Sequence, residues 1–445
     1  MATVKPFRGI RYNLDKVNIA DAVTPPYDVI DKTAQERYYN RSPHNIIRLE
    51  YGKTLEDDNH TVNRYTRAAV QFEKWLSEEI LVRENEPALY LYEQEFLIAG
   101  KKKIRTGFVC AVGLEPYEKG IILPHEETLP KHKADRLELM RTCKANFSPV
   151  FSLYSDPEMA VTNTLREAAG DRPPNASFVD ENGEKHRLWV IGQRVAVESV
   201  QRIMANKHIY IADGHHRYET ALNYQAECGA NNPGNQNSSN YVMMMLVNLY
   251  EPDLVILPTH RLIKNVPYDE LSTLPKKLTE NFQVEEFHLS QNKENFQDFL
   301  NRLSEVGTSS EKQQSHRHVF GIYQGDGKLY LASLKKESNL NDLMPSGKSL
   351  DWQSLDVSVL HCLIIQKHLG IGPELLAKGN HVSYTREEEE AMKAVDRGEY
   401  QLAVFLNPTR VEEVTQVAAN AEKMPQKSTY FYPKVITGLV INPLD

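Results

Sequence analysis

A strand, a turn and a helix follow one another directly at residues 208–229, and this unit constrains the fold more than any other segment. Ile209 and Ile211 alternate as strand residues, Asp213–Gly214 breaks the strand, and apolar residues then recur at the spacing of a helix face. A strand that runs straight into a helix must bury one face of each element in a shared core. The unit therefore predicts an α+β fold, with mixed sheets and flanking helices.

Other segments predict further elements of both kinds. The apolar positions of Lys131–Cys143 have helical spacing. The turn residues between Val319–Tyr323 and Leu329–Leu334 predict a β-hairpin. The short apolar run Asn45–Leu49 predicts a strand.

The chain is long enough for more than one domain. It has 445 residues, of which 41% are hydrophobic, and single cores stop growing well below that length. We predict three regions. The first is an N-terminal α+β region at 1–267, the second an inserted α+β subdomain with the hairpin at 268–340, and the third a C-terminal α+β region at 341–445 that packs back on the first.

Charge and composition exclude some classes of partner. The formal net charge is -8 and no basic run is longer than Lys101–Lys103, whereas a duplex-DNA binder usually carries a basic excess. The longest apolar stretch, Tyr241–Leu249, is too short to span a bilayer. The four cysteines form no C-x-x-C pair, which argues against a zinc ribbon or a thioredoxin-like motif. Four scattered thiols in a chain of this length are typical of buried residues in a reducing compartment. We expect a soluble cytoplasmic protein without membrane contact or general nucleic-acid binding, and the sequence leaves its oligomeric state open.

The segment Asp213–Arg217 (DGHHR) is the strongest candidate for a reactive site. Backbone N–H groups at the start of a helix bind anions with the help of the helix dipole, and Gly214 lets a ligand approach the backbone closely. Arg217 can hold a phosphate through two nitrogens, and His215 or His216 can donate to it. Asp213 can hold Mg²⁺ or accept a proton.

A structural interpretation of the same segment is open as well. Asp213 would cap the helix, and the two histidines would lie solvated on its first turn. A carboxylate, two imidazoles and a guanidinium lie close together here. On residue chemistry alone, a phosphate site and a capped helix start are therefore equally well supported.

A second cluster begins at Pro124–His125–Glu126 and continues through Lys133 and Arg136. A carboxylate beside several cations can act as a general base for a substrate whose phosphate the cations hold. Residue types alone favour the plainer alternative, a charged loop that enters a solvated helix.

Familiar zinc and nucleotide signatures are absent from the sequence. H-E-x-x-H fails because Leu129 stands four residues after His125. Neither a P-loop nor a strand-linked G-x-G-x-x-G occurs, so a nucleotide site needs a less common phosphate cradle. The segment Pro425–Lys434 mixes hydroxyls, lysines and aromatics as a site wall would, and a turn that feeds an aromatic core strand is the alternative.

Several motifs in fixed order resemble the family catalogued as domain of unknown function 1015. They are VKPFRGIRYN with TPPYDVI near the start, then PHEETLPKHKADRLELM, ANFSPVFSLY, IADGHHRYETAL, LPTHRL and MPQKSTYFYPKVITGL. The resemblance covers essentially the whole chain.

Two of these motifs also resemble the paired boxes of the ParB/sulfiredoxin-like superfamily, which includes CTP-binding partition proteins, sulfiredoxins and free serine kinases. In free serine kinases a Glu in an HE box and an Asp in a D-G-H-x-R box carry the transfer. The resemblance implies a ParB/sulfiredoxin-like nucleotide-binding core, with those roles on Glu126 and Asp213. It places the nucleotide phosphates at His215, His216 and Arg217.

The sequence departs from that pattern in three ways. The two boxes are separated by a long insertion. The box at Asp213 has His215 where sulfiredoxin needs a catalytic cysteine, which argues against sulfiredoxin chemistry. The sequence also shows no clear recognition helix of the kind that partition proteins use on DNA.

The leading hypothesis is a small-molecule kinase that uses ATP or ADP with Mg²⁺ to phosphorylate a hydroxyl, that of free L-serine above all. Glu126 would deprotonate the acceptor, and Asp213 would hold Mg²⁺ or assist the base. Gly214 and His125 would help to bind the nucleotide, with Lys133 and Arg136 as secondary phosphate ligands. The alternatives are a nucleotide-binding regulatory module without turnover, and a phosphohydrolase that acts on phosphoserine or a nucleotide.

Overall fold

The structure is a computed structural model that describes residues 2–126, 130–231, 238–290, 293–308, 318–325, 327–336 and 338–444. The chain divides into two compact units. The first unit contains residues 1–124, 128–255 and 431–445, and the second contains residues 125–127 and 256–430.

The strands are mostly short and are numbered in chain order. They are β1 (Val4–Lys5), β2 (Ile10–Tyr12), β3 (Leu81–Arg83), β4 (Leu89–Ile98), β5 (Lys101–Gly113), β6 (Ile122–Leu123), β7 (Ala145–Asn146), β8 (Val150–Tyr154), β9 (Ala176–Val179), β10 (Lys185–Ile191), β11 (Ile209–Asp213), β12 (Tyr241–Asn248), β13 (Val255–Ile256), β14 (His260–Ile263), β15 (Phe282–His288), β16 (Val319–Tyr323), β17 (Lys328–Leu334), β18 (Val382–Thr385), β19 (Leu402–Phe405), β20 (Phe431–Tyr432) and β21 (Asn442–Pro443).

The α-helices are numbered in the same way. They are α1 (Ile19–Ala22), α2 (Lys32–Arg41), α3 (Ile47–Glu50), α4 (Arg64–Ser77), α5 (Pro130–Cys143), α6 (Ala160–Ala169), α7 (Arg194–Met204), α8 (His215–Asn231), α9 (Tyr268–Leu278), α10 (Phe296–Thr308), α11 (Leu340–Leu343), α12 (Leu350–Gln353), α13 (Asp356–Val359), α14 (Pro373–Ala377), α15 (Glu388–Asp396) and α16 (Val411–Ala419). Short 3₁₀ helices lie at Tyr27–Val29, Tyr117–Lys119 and Ser238–Asn240, and a π-helical segment lies at Leu360–Gln366.

The first unit is built on a mixed nine-stranded sheet. Its strands follow the order β6-β11-β8-β12-β5-β4-β10-β9, and β1 also pairs with β5. Strands β6 and β11 are parallel, as are β8 and β12, and the other neighbours are antiparallel. One face of the sheet is an apolar core with residues such as Phe108 and Met244, and helices α6, α7 and α8 add Leu165, Val200 and Tyr218 to it.

The opposite face of this sheet carries buried polar side chains. Gln94 on β4 pairs with Arg105 on β5 and with His186 on β10, and all three side chains are fully buried. Because side chains alternate along a strand, these residues point away from the core that holds Phe108. We refer to this side as the polar face.

The second unit contains a six-stranded antiparallel sheet with the order β15-β17-β16-β19-β14-β18. Its apolar core includes Phe299 of α10, Leu331 of β17 and Phe405 of β19. Among the residues that the structure describes, no helix has both the length and the apolar character needed to cross a lipid bilayer.

The α+β fold class predicted from the sequence is confirmed, but the chain divides differently from the three predicted regions. Strands from residues 268–340 and from 341–430 belong to one sheet, in which β16 and β19 pair directly. A separate subdomain at 268–340 would expose the edge of that shared sheet. Residues 431–445, in turn, belong to the first unit.

The predicted helix at Lys131–Cys143 and the predicted hairpin appear as α5 and as β16 with β17. The strand predicted at Asn45–Leu49 is wrong, since residues Ile47–Glu50 form the helix α3. The buried Asn45 side chain accepts a hydrogen bond from Ile47 N–H at 2.9 Å, which favours a turn over an extended chain.

Candidate functional site

Asp213 is the last residue of strand β11 and belongs to the polar face of the sheet. Ile211 pairs with Ser152 of β8, a β-bulge follows, and Asp213 pairs with Phe151. Because strand residues alternate between faces, the extra residue turns Asp213 away from the apolar core that Ile211 enters. The bulge thus keeps a carboxylate out of an apolar core in which it would be very costly.

Gly214 joins this strand to helix α8, and its backbone requires glycine. Its φ is +93°, and a Cβ atom at this position would lie 2.9 Å from Nε of Arg217. Tyr218 N–H donates to the Gly214 carbonyl at 3.0 Å, so the helical hydrogen bonding begins at Gly214. The positive end of the α8 dipole therefore lies beside Asp213.

We expect Gly214→Ala to destabilise the first unit by about 1–3 kcal/mol, because alanine rarely adopts a positive φ and its methyl group would displace the Arg217 side chain. Thermal unfolding measures the loss. The matched control is Gly192→Ala, since a Cβ atom at Gly192 meets nothing within 4 Å and its φ is unstrained. Equal melting temperatures for the two variants would contradict the prediction.

The Asp213 carboxylate is held between two cations. Lys434 Nζ donates to Oδ1 at 3.0 Å and Arg217 Nη2 donates to Oδ2 at 3.0 Å. Burial by itself raises the pKa of Asp213, but Lys434, Arg217 and the nearby His215 outweigh it and hold the pKa well below its usual range. A carboxylate with so low a pKa is a weak base, which does not suit the role of proton acceptor expected from the sequence.

The surroundings of Asp213 carry an excess of positive charge. Its two cationic partners are only 12% and 9% exposed at the side chain, and Arg217 also donates through Nη1 to the carbonyl of Pro149. His215 is buried and His216 is half-buried at the start of α8. One carboxylate against two cations and a helix N-terminus leaves a net attraction for an anion.

The two secondary phosphate ligands predicted on helix α5 both contact carboxylates of the chain. Lys133 Nζ lies 2.9 Å from Glu219 Oε2 on α8. Arg136 lies 3.4 Å from Glu50 Oε1 through Nη1 and donates to Asp135 Oδ2 at 2.7 Å through Nε. Arg136 is buried, and its guanidinium is already occupied by these two carboxylates.

A small cavity of about 30 Å³ connects this buried pair to the Asp213 segment. Glu50, Arg136, Ser148 and Arg217 are among the residues that line it. The cavity has the size of a water site and is far smaller than a nucleotide site. Arg136, Glu50 and Arg217 therefore surround one small cavity.

His125 and Glu126 belong to the second unit, and residues 127–129 of the same motif lie outside the described residues. Glu126 Oε1 accepts a hydrogen bond from Lys427 N–H at 3.0 Å. His125 Nε2 lies 3.0 Å from Thr429 Oγ1, and its carbonyl accepts from Met424 N–H at 2.7 Å. The HE box is thus fixed by Met424, Lys427 and Thr429, and its catalytic role stays a prediction.

Lys434 was not singled out from the sequence. It stands in an aromatic and β-branched segment, and its partner Asp213 is 221 residues away. The backbone carbonyl of Lys434 also accepts from Gln94 Nε2 at 3.0 Å, which anchors it on the polar face. The sequence shows this lysine after Tyr432 and Pro433, but no local pattern identifies Asp213 as its partner.

Magnesium does not fit Asp213 as its contacts stand. Mg²⁺ requires open oxygen ligands in near-octahedral geometry, and each Asp213 oxygen already accepts a hydrogen bond from a cation. Within the described ranges, the one group of three His, Cys, Asp or Glu side chains close enough to share a metal ion lies elsewhere, at Asp180, Glu184 and His186.

The chain belongs to the family described as protein of unknown function (DUF1015), whose profile matches residues 4–358. This confirms the family resemblance found in the motifs. A search of curated proteins found no match.

Several solved structures are similar to the chain at low identity. A free serine kinase in complex with AMP has 13% identity and a TM-score of 0.33, covering 70% of this chain and 84% of that one. SbnI with a C-terminal truncation, from Staphylococcus aureus, has 12% identity and a TM-score of 0.34, covering 76% and 87%. A conserved hypothetical protein from Pyrococcus furiosus has 12% identity and a TM-score of 0.32, covering 71% and 89%.

Proposed function

We propose that the protein is a nucleotide-dependent kinase that transfers a phosphoryl group from ATP or ADP to the hydroxyl of a small molecule, with free L-serine as the acceptor. The observation that carries the proposal is the half-buried Asp213 carboxylate held between Lys434 and Arg217 at the start of helix α8. Such a centre attracts an anion and fixes its orientation.

The centre suits phosphoryl transfer because that reaction depends mainly on positioning and on stabilising charge. Lys434, His215 and His216 would stabilise the negative charge that develops on the transferring group. Asp213, which stays ionised, would orient Lys434 and Arg217. Gly214 would let the phosphate approach the backbone at the helix start.

The acceptor hydroxyl needs a base, and we assign that role to Glu126. The hydroxyl oxygen would form a bond to the terminal phosphorus of the nucleotide, the bond from that phosphorus to the bridging oxygen would break, and Glu126 would take the hydroxyl proton. His125 would help to bind the nucleotide. Serine as the acceptor rests on the likeness of the HE and D-G-H-x-R boxes to those of free serine kinases.

The test is incubation of the purified chain with serine and either ATP or ADP, with phosphoserine detected by mass spectrometry. We expect turnover, and we expect Glu126→Gln to lower kcat by about 10²–10⁴-fold, the usual contribution of a positioned base. Glu118→Gln is the matched control, because Glu118 is exposed on the short 3₁₀ helix Tyr117–Lys119.

Two outcomes would overturn the proposal in favour of another function. Tight nucleotide binding without product, over a panel of amino acids and hydroxy acids, would identify a regulatory module. Release of inorganic phosphate in the absence of any acceptor would identify a phosphohydrolase.

A further inference from the structure

The turn between strands β9 and β10 fixes the carboxylate of Asp180. Asp180 Oδ1 accepts hydrogen bonds from the N–H groups of Asn182 and Glu184, both at 2.9 Å. The backbone closes the same turn, since Asp180 N–H donates to the Glu184 carbonyl at 2.9 Å. These bonds fix the carboxylate so that Oδ2 faces Nε2 of His186 at 3.4 Å.

His186 is fully buried on the polar face and is held by one of its two nitrogens. Nδ1 lies 2.7 Å from the Tyr92 hydroxyl, and the ring stacks on Phe178 with centroids 4.8 Å apart. Nε2 is buried and makes no hydrogen bond. When Nδ1–H donates to Tyr92, Nε2 presents a lone pair toward Asp180, as a metal-binding histidine does.

Glu184 brings a second carboxylate to the same point. It is only 7% exposed, and ligand atoms of Asp180, Glu184 and His186 all lie within 4.8 Å of one another. Two carboxylates buried together repel each other, and a shared cation removes both the repulsion and part of the burial penalty.

We propose that Asp180, Glu184 and His186 form a binding site for a divalent transition-metal ion of the zinc type. Two ligands bound to tetrahedral zinc at about 2.0–2.1 Å are about 3.4 Å apart, which matches the 3.4 Å between Asp180 Oδ2 and His186 Nε2. Three protein ligands leave the fourth position for water or a substrate oxygen. The Asp180 side chain is 12% exposed, so the ligand set reaches solvent at that residue.

The site does not depend on the proposed kinase function. It shares no residue with the Asp213 centre, and its ligand set of one imidazole and two carboxylates suits Zn²⁺ or Mn²⁺ better than it suits Ca²⁺. The alternative role of Oδ2 is an ion pair with a protonated His186, and such a pair would bind no added metal ion.

The experiment strips the full-length protein with a chelator, adds Zn²⁺ or Co²⁺, and measures bound metal after gel filtration by mass spectrometry. We expect one tightly held ion per chain and visible Co²⁺ absorption bands of tetrahedral intensity. His186→Gln and Asp180→Asn should abolish both signals. Tyr92→Phe should weaken Zn²⁺ affinity by about 10- to 100-fold, as loss of the group that orients a ligand does.

His288→Gln is the matched control, because His288 is an exposed histidine that lies 3.2 Å from Glu286, and it should bind metal as the unmodified chain does. Circular dichroism identifies any variant that fails to fold. In that case Glu184→Gln is used instead, because it removes a ligand charge and keeps the shape of the side chain. The proposal is overturned if the stripped protein takes up no ion, or if folded His186→Gln retains it.

Discussion

Replacing Lys434 with methionine is expected to lower kcat/KM for phosphoryl transfer by at least about 10²-fold, the effect of removing one preorganised charge from a transition state. The methionine keeps the length of the side chain but removes the Nζ that contacts Asp213 Oδ1. Asp213 would then hold Arg217 alone, and the summed charge of these side chains would fall from +1 to zero, which leaves the helix N-terminus to attract an anion. Steady-state kinetics with serine and calorimetric titration of the nucleotide measure the two losses.

The matched control is Lys101→Met, since Lys101 is an exposed lysine at the start of β5. Lys434→Arg should restore part of the activity, because it restores the positive charge. If Lys434 only stabilised the fold, Lys434→Arg would restore the melting temperature but not the activity. A folded Lys434→Met protein with unchanged kcat/KM would show that the Asp213 centre does not carry the reaction.

The second large effect concerns stability. Arg136→Met should lower the free energy of unfolding of the first unit by about 3 kcal/mol, the effect of breaking a buried ion pair from one side. Glu50 is 3% exposed, and in the variant its carboxylate would keep the Ser148 hydroxyl, 2.8 Å from Oε1, without a full counter-charge. Burial already raises the pKa of Glu50 even with Arg136 present. Denaturant unfolding followed by circular dichroism measures the change.

Two comparisons separate charge burial from loss of packing. Arg141→Met lies on the same helix and removes an ion pair with Glu227 whose side chains are 44% and 41% exposed, so its effect should stay below about 1 kcal/mol. Adding Glu50→Gln to Arg136→Met should recover most of the lost stability, because no unpaired charge then stays buried. A double variant as unstable as Arg136→Met would contradict this account.

Local patterns in the sequence predicted the elements that local interactions determine. The alternation of Ile209 and Ile211, and the helical spacing after Gly214, are properties of neighbouring residues, and β11 and α8 formed as expected. The run at Asn45–Leu49 is too short for its periodicity to distinguish strand from helix, and α3 formed there instead.

The arrangement around Asp213 could be predicted only in part. The positive φ of Gly214 agrees with the glycine that the sequence places there. The bulge before Asp213 depends on how β11 pairs with β8. The pattern of apolar residues in a single strand does not show how that strand pairs. The partners Lys434 and Glu50 come from distant segments, so only tertiary structure identifies them.

Residues 431–445 belong to the first unit, so residues 256–430 are inserted between two segments of that unit. The ends of that insertion meet, since Leu257 N–H donates to the Tyr430 carbonyl at 2.8 Å. Folding of the insertion therefore closes a long loop and raises the effective concentration of Lys434 near Asp213, from which it is 221 residues away in sequence. Loosening the insertion would then weaken the contact between Lys434 and Asp213 even though neither residue had changed.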